Sequence, residues 1–136
     1  IFFFFQAAAG LRAYDVTGVH TCALPISHVY MGHGHNNGHP VCVNLRTGKD
    51  AWRPGRGPGT GSAAITCADG HLYFRYQNGV MALIEATPDS YKLKGSFKIG
   101  INNGESWAHP VISNGRLYLR DQDEMICYDI REPTES

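Results

Sequence analysis

An internal repeat constrains the fold of this chain more than any other feature of its sequence. Residues 68–86, ADGHLYFRYQNGVMALIEA, align without gaps on residues 113–131, SNGRLYLRDQDEMICYDIR, at an offset of 45. A partial third copy lies upstream, where Tyr30 precedes Tyr73 by 43 residues. A repeat of this length predicts a unit of several secondary-structure elements that stacks on copies of itself.

Turn signals divide each copy into short strands. The dipeptides Asp69-Gly70, Asn78-Gly79 and Asn114-Gly115 stand between apolar runs, which is the strongest short-range signal for a β-hairpin. No segment shows a convincing helical period. We therefore expect an all-β fold with strands near residues 28–32, 40–44, 49–53, 62–67, 71–76, 79–85, 91–98, 108–113, 116–121 and 124–130.

The length of the repeat indicates the architecture. A period of 43–45 residues is typical of β-propeller blades, because one four-stranded blade cannot bury both of its faces alone. We expect a partial β-propeller of about two and a half blades, the C-terminal end of a ring whose earlier blades are missing. The expected blades are residues 28–53, which lack an innermost strand, residues 62–98, which are complete, and residues 107–131, followed by a tail at 132–136.

The first 27 residues do not resemble the start of a natural protein. Residues 16–27, VTGVHTCALPIS, are similar to VTGVQTCALPIS, the translation of a sequencing-library adapter, with His20 as the one mismatch. Residues 6–13 differ from the same translated adapter at four positions, each by a single base change. We expect residues 1–27 to be non-biological and irregular, the alternative being a natural leader or loop, and we exclude Cys22 and Pro25 from functional argument.

Four motifs resemble the pyrroloquinoline-quinone-like (PQQ-like) β-propeller repeat. They are DGHLY at 69–73, AL at 82–83, CYD at 127–129 and LRTGKDAW at 45–52, and the resemblance covers most of residues 28–131. In that family the Trp after the Thr-Gly turn docks on a neighbouring blade. The resemblance implies a periplasmic or secreted protein that acts as a non-catalytic binding or scaffold module. Quinoprotein dehydrogenases share the fold, so the alternative is the C-terminal part of a PQQ-dependent oxidoreductase.

Several recurring residues are expected to have structural roles. Arg75 and Arg120 occupy matched positions, which predicts a partner such as a carboxylate or backbone carbonyls between blades. Tyr73 and Tyr118 are expected to face the core. The full set of expected structural positions is Gly48, Trp52, Gly70, Tyr73, Arg75, Gly115, Tyr118, Arg120 and Asp129.

The stretch HGHNNGH at residues 33–39 has the most unusual composition. His33, His35 and His39 could bind zinc or copper, but a metal site needs a fixed scaffold and a further ligand, which a Gly-rich hairpin does not ensure. The favoured interpretation is a polar hairpin insertion. The other two interpretations are a metal site and a polar ligand contact, the latter through His33, His35, Asn36 and Asn37.

A second candidate ligand site lies at the start of the last expected blade. Inner strands of a propeller line its central channel, and propellers usually bind ligands at the channel mouth, so Glu105, Trp107 and His109 could face a ligand. The favoured interpretation is that Trp107 packs between blades and His109 begins a strand. Residues 53–61, RPGRGPGTG, are too rich in Gly and Pro for a strand and predict a long loop between blades.

Composition and cysteine content limit the remaining function classes. Lys plus Arg and Asp plus Glu each total 12, so nothing points to a nucleic-acid partner or an anionic membrane. No apolar run approaches the roughly 18–20 residues of a membrane span. Cys42, Cys67 and Cys127 are expected to be buried free thiols.

The cysteines also bear on the quinone cofactor. Quinoprotein alcohol dehydrogenases carry a disulfide between adjacent cysteines over the cofactor, and the sequence has no adjacent pair. No cofactor is therefore evident, and PQQ enters only through the resemblance. The expected partners are the missing blades and a protein or a small molecule.

Overall fold

The computed structural model describes residues 27–101, 104 and 106–131, and within them the fold is all-β, which confirms the predicted fold class. The first sheet contains β1 (His28–His33), β2 (His39–Asn44) and β3 (Asp50–Trp52). The second contains β4 (Ala63–Ala68), β5 (His71–Tyr76), β6 (Val80–Glu85) and β7 (Leu93–Lys98). The third contains β8 (Val111–Ser113), β9 (Arg116–Asp121) and β10 (Glu124–Asp129).

All three sheets are antiparallel, and neighbouring strands follow one another in the sequence. The connection between β1 and β2 contains a 3₁₀ turn at His35–Asn37. In the described part of the chain, no helix has the length and apolar character needed to cross a membrane. The adapter-like segment and the tail at 132–136 fall outside the described residues, apart from Ser27.

Two hairpin turns follow directly from the sequence. Asp69 and Gly70 have φ values of 48° and 71°, and Asn114 and Gly115 have φ values of 50° and 70°. Two successive residues with positive φ are typical of the hairpin turn that matches the twist of its strands, and Asn or Asp followed by Gly adopts it most readily. The hairpins predicted at these dipeptides are confirmed by the pairing of β4 with β5 and of β8 with β9.

The structure corrects one predicted strand boundary. A strand was expected from residue 108, but β8 begins only at Val111. Pro110 has no backbone N–H, so it cannot donate to the ladder with β9. Its carbonyl oxygen instead accepts a hydrogen bond of 2.6 Å from Thr66 Oγ1, which joins the third sheet to the second.

The structure also corrects the gapless alignment of the two copies. Arg75 pairs with Met81, whereas Arg120 pairs with Met125, so the offset falls from 45 on β5 and β9 to 44 on β6 and β10. The β5–β6 connection at 77–79 is one residue longer than the β9–β10 connection at 122–123. Because side chains alternate along a strand, the alignment without a gap assigns every residue of β10 to the wrong face.

The second sheet lies between the other two and buries residues on both of its faces. One face carries Leu72, Phe74 and Ile84, which pack with Tyr30 of the first sheet. The opposite face carries Met81, which packs with residues of the third sheet, including Leu117 and Leu119. Successive residues of a strand point to opposite faces, which explains how adjacent residues join different clusters.

The three sheets therefore stack in chain order, and the first and second sheets present equivalent faces to the sheet that follows. Tyr30 points to the second sheet and Tyr73 to the third. Tyr118 stands between the buried Leu117 and Leu119 on β9, so it points away from the second sheet.

Candidate functional site

The histidine-rich hairpin is held by its own side chains and by Ser62, the residue before β4. The amide nitrogen of Asn37 donates a 2.6 Å hydrogen bond to the Gly34 carbonyl oxygen. Asn36 Oδ1 accepts a 3.1 Å hydrogen bond from the Ser62 backbone N–H and a second one from the Ser62 hydroxyl. Both asparagines are thus engaged in fixing the turn, and a ligand would have to compete with these hydrogen bonds.

Two of the three candidate metal ligands lie side by side. The His33 and His39 rings are 5.6 Å apart between centroids and meet edge to face. Burial and the nearby Arg53 charge lower the pKa of His33. His35 lies on the exposed 3₁₀ turn. In the described part of the chain, no three His, Cys, Asp or Glu side chains form a group that could hold a metal ion.

The start of the third sheet forms an open groove rather than a packed contact. Trp107 is 59% exposed, so the favoured prediction that it packs between sheets is wrong. His109 is also exposed, with its Nδ1 3.3 Å from the Ile65 carbonyl oxygen. Glu105 lies outside the described residues. The groove has a volume of about 450 Å³ and is lined by Ser106, Trp107, Ala108, Arg120 and Gln122.

Arg75 links the second sheet to the third in the interior of the protein. Its guanidinium donates hydrogen bonds to the backbone oxygens of Ala108, at 3.4 Å, and of Arg120. Its Nη2 lies 3.8 Å from Asp121 Oδ1, and both side chains are fully buried. Burial lowers the pKa of Arg75, and the charge of Asp121 opposes that shift.

Asp121 is a buried residue between sheets that the sequence pattern did not indicate. It stands opposite Tyr76 in the alignment of β5 with β9, so it does not recur in the repeat. The one feature of the sequence that could have drawn attention to Asp121 is its position directly after the recurring Arg120. A buried carboxylate requires a charged or hydrogen-bonded partner, and Arg75 of the preceding sheet supplies that charge.

Trp52 connects the first sheet to the second. Its indole Nε1 donates a hydrogen bond of 2.7 Å to the Thr87 backbone oxygen. Its ring lies between two tyrosines, with centroids 5.9 Å from Tyr30 and 5.5 Å from Tyr91. The two sheets are therefore joined by a directional contact as well as by apolar packing.

The loop at 53–61, which was predicted from its Gly and Pro content, contains no strand and covers Tyr76. A Cβ atom at Gly57 or Gly59 would overlap the Tyr76 side chain. Tyr76 is fully buried, and this burial raises the pKa of its hydroxyl. The glycines are needed here because the loop backbone runs directly against the ring.

The remaining repeat positions lie in turns or at a strand end. Gly48, Gly70 and Gly115 have positive φ values of 68°, 71° and 70°. Asp129 ends β10 and accepts a 2.9 Å hydrogen bond from Arg131 Nε, which lowers the pKa of Asp129 to about 2. These residues shape the hairpins and do not converge on a common site.

The three described cysteines lie in different sheets and are free thiols. Cys42 is buried and Cys67 is partly buried, but Cys127 is exposed. The prediction of a buried thiol is therefore wrong for Cys127, because no described element covers that side of β10.

These residues do not fit a quinone site of the quinoprotein type. No two of the thiols are adjacent, and no described group of three acidic, histidine or cysteine side chains could ligate calcium.

Comparison with models of protein families and with curated proteins finds no match to this chain.

Proposed function

We propose that the chain forms consecutive blades of a PQQ-like β-propeller and acts outside the cytoplasm as a binding or scaffold module. One observation carries this proposal: three antiparallel sheets stack in chain order, each with the same face toward the next. Stacking of repeated sheets around an axis is the defining feature of a propeller. The extracytoplasmic location rests on the sequence resemblance in residues 45–52.

Directional contacts between sheets support a scaffold role. Trp52 crosses from the first sheet to the second, and Arg75 crosses from the second to the third. Such contacts fix each sheet relative to its neighbour, which gives a rigid body on which loops can bind a partner. The groove beside Trp107 is a candidate surface for a small ligand, because it combines an exposed indole with polar side chains.

The stacking can be tested by nuclear magnetic resonance on the purified chain. We expect nuclear Overhauser contacts between Thr66 and Pro110, whose side chain and carbonyl form a hydrogen bond between the second and third sheets. Contacts between Tyr30 and Phe74 should report the first interface. Hairpin contacts without any contact between sheets would overturn the propeller proposal.

A quinone-binding experiment separates the scaffold from the oxidoreductase alternative. The chain would be titrated with PQQ and Ca²⁺ while the fluorescence of Trp52 and Trp107 is recorded. The scaffold proposal expects no saturable quenching and no quinone retained after gel filtration. Retention of one quinone per chain would overturn the scaffold proposal in favour of the oxidoreductase.

A further inference from the structure

The outer side of the third sheet carries nearly the same residue types as a buried face of the second. We define the open face as Val111, Tyr118, Arg120, Met125 and Cys127. The strand pairing matches these positions, in that order, to Thr66, Tyr73, Arg75, Met81 and Leu83. Tyr, Arg and Met are identical in the two sets.

Two of the three identical side chains, the arginine and the methionine, differ widely in exposure between the two faces. Arg75 and Met81 are 1% and 2% exposed, because the third sheet covers them. Arg120 is exposed, and Met125 is 69% exposed. A large exposed methionine beside an exposed arginine and a partly buried tyrosine is unusual on a protein surface and indicates a contact area.

We infer that the open face is the docking surface for a further β-sheet of the same repeat, which carries an aspartate at the position of Asp121. This inference rests on the proposed function. The third sheet shows what such a partner offers, since Leu117 and Leu119 cover the apolar side chains of the second sheet and Asp121 meets Arg75. The docked sheet would surround Arg120 in the same way, with a carboxylate and backbone oxygens.

Charge complementarity favours this occupant over a second copy of the chain. The strands β1, β5 and β9 are matched in the repeat, and they end at His33, Tyr76 and Asp121. Asp121 in the third sheet follows a sheet that carries Arg75. Tyr76, at the matched position of the second sheet, follows a sheet that has Gly32 in place of that arginine. A second copy that docked through its first sheet would place His33, not a carboxylate, against Arg120.

The test uses the full chain and a lengthened chain, in which a second copy of residues 87–131 is inserted after Arg131. Site-by-site alkylation with iodoacetamide would be followed by peptide mass spectrometry. Cys67, on the opposite face of the second sheet, serves as the internal reference. The cysteine of the inserted copy is replaced by serine. We expect Cys127 to react at least tenfold more slowly, relative to Cys67, in the lengthened chain.

A matched variant tests the charge pair. In the inserted copy, the aspartate that corresponds to Asp121 is replaced by alanine, and we expect Cys127 to regain most of its reactivity. Equal Cys127 rates in the original and lengthened chains would overturn the inference. A lengthened chain that fails to fold while the original folds would also overturn it, because the open face could then not accept the repeat.

Two further measurements distinguish failure of the docking inference from failure of the proposed stacking of the three sheets. If Arg75→Ala destabilises both chains but Cys127 stays reactive, the stack of three sheets stands and only the docking is overturned. If Arg75→Ala has no effect on stability, the proposed stacking itself fails. Protection of Cys127 that increases with the concentration of the original chain would identify a second copy as the occupant and overturn the inference.

Discussion

Replacement of Arg75 by alanine should strongly destabilise the protein. Arg75 and Asp121 are fully buried, with 3.8 Å between Nη2 and Oδ1. The change removes this ion pair and the guanidinium donors to two backbone oxygens. It also removes the charge that Arg75 places beside a buried carboxylate, so we expect a loss of about 3–5 kcal/mol of unfolding free energy.

The chain contains its own control for this prediction. Arg120 occupies the matched position on the third sheet, but its side chain is exposed. Because exposed substitutions away from packed contacts change stability little, Arg120→Ala should alter the unfolding free energy by about 0.5 kcal/mol or less. The contrast between the two variants isolates the effect of covering the arginine, since residue type and strand position are the same.

Urea unfolding followed by tryptophan fluorescence would measure both variants. For a small domain the urea dependence is about 1–3 kcal/mol per molar, so a loss of 3 kcal/mol lowers the midpoint by about 1 M or more. In the double variant Arg75→Met with Asp121→Leu, stability should return to within about 1 kcal/mol of the original chain or exceed it, because an apolar pair replaces two desolvated charges. Equal losses for Arg75→Ala and Arg120→Ala would refute the reasoning.

Three further predictions concern the other contacts between elements. Gly59→Ala should cost about 1–3 kcal/mol because the new methyl group overlaps Tyr76, whereas Gly95→Ala, which has open space, should not, as urea midpoints would show. Trp52→Phe should cost about 1–3 kcal/mol in thermal unfolding, because a carbonyl of the second sheet loses its indole donor. Burial raises the pKa of Cys42 from 9.0 to about 11, so its neutral thiol contributes stability that is full below pH 9 and lost between pH 9 and 11. An alkaline stability profile that is equally steep in Cys42→Ala would contradict this last assignment.

Local signals in the sequence were sufficient for the existence of the strands and for two of the turns, although not for the start of β8. Asp69-Gly70 and Asn114-Gly115 adopt the left-handed conformations that their residue types favour. The glycine- and proline-rich segment at 53–61 forms a loop, as its composition predicts. In each case the determining interaction lies within a few residues, so no knowledge of neighbouring sheets was required.

Exposure could not be predicted in the same way, because it depends on which sheet lies opposite. Trp107 and Cys127 have apolar side chains and were expected to be buried, yet Trp107, just before the third sheet, and Cys127, within it, are both exposed. The alignment failed after residue 121 for a related reason. A one-residue change in a connection leaves the residue types similar but reverses the face on which each one lies.

The Arg75–Asp121 pair addresses a problem that any stack of similar sheets must meet. Tyr30, Tyr73 and Tyr118 lie on matched faces, and apolar packing is not directional, so such faces alone would distinguish poorly between correct and incorrect neighbours. A buried arginine favours a neighbouring sheet that places a carboxylate beside its guanidinium. A neighbour without that carboxylate would leave the charge of the arginine unpaired, which is unfavourable. We therefore expect the pair to contribute more to the choice of neighbour than to net stability, and the double variant tests this: it should keep its stability while losing discrimination between sheets.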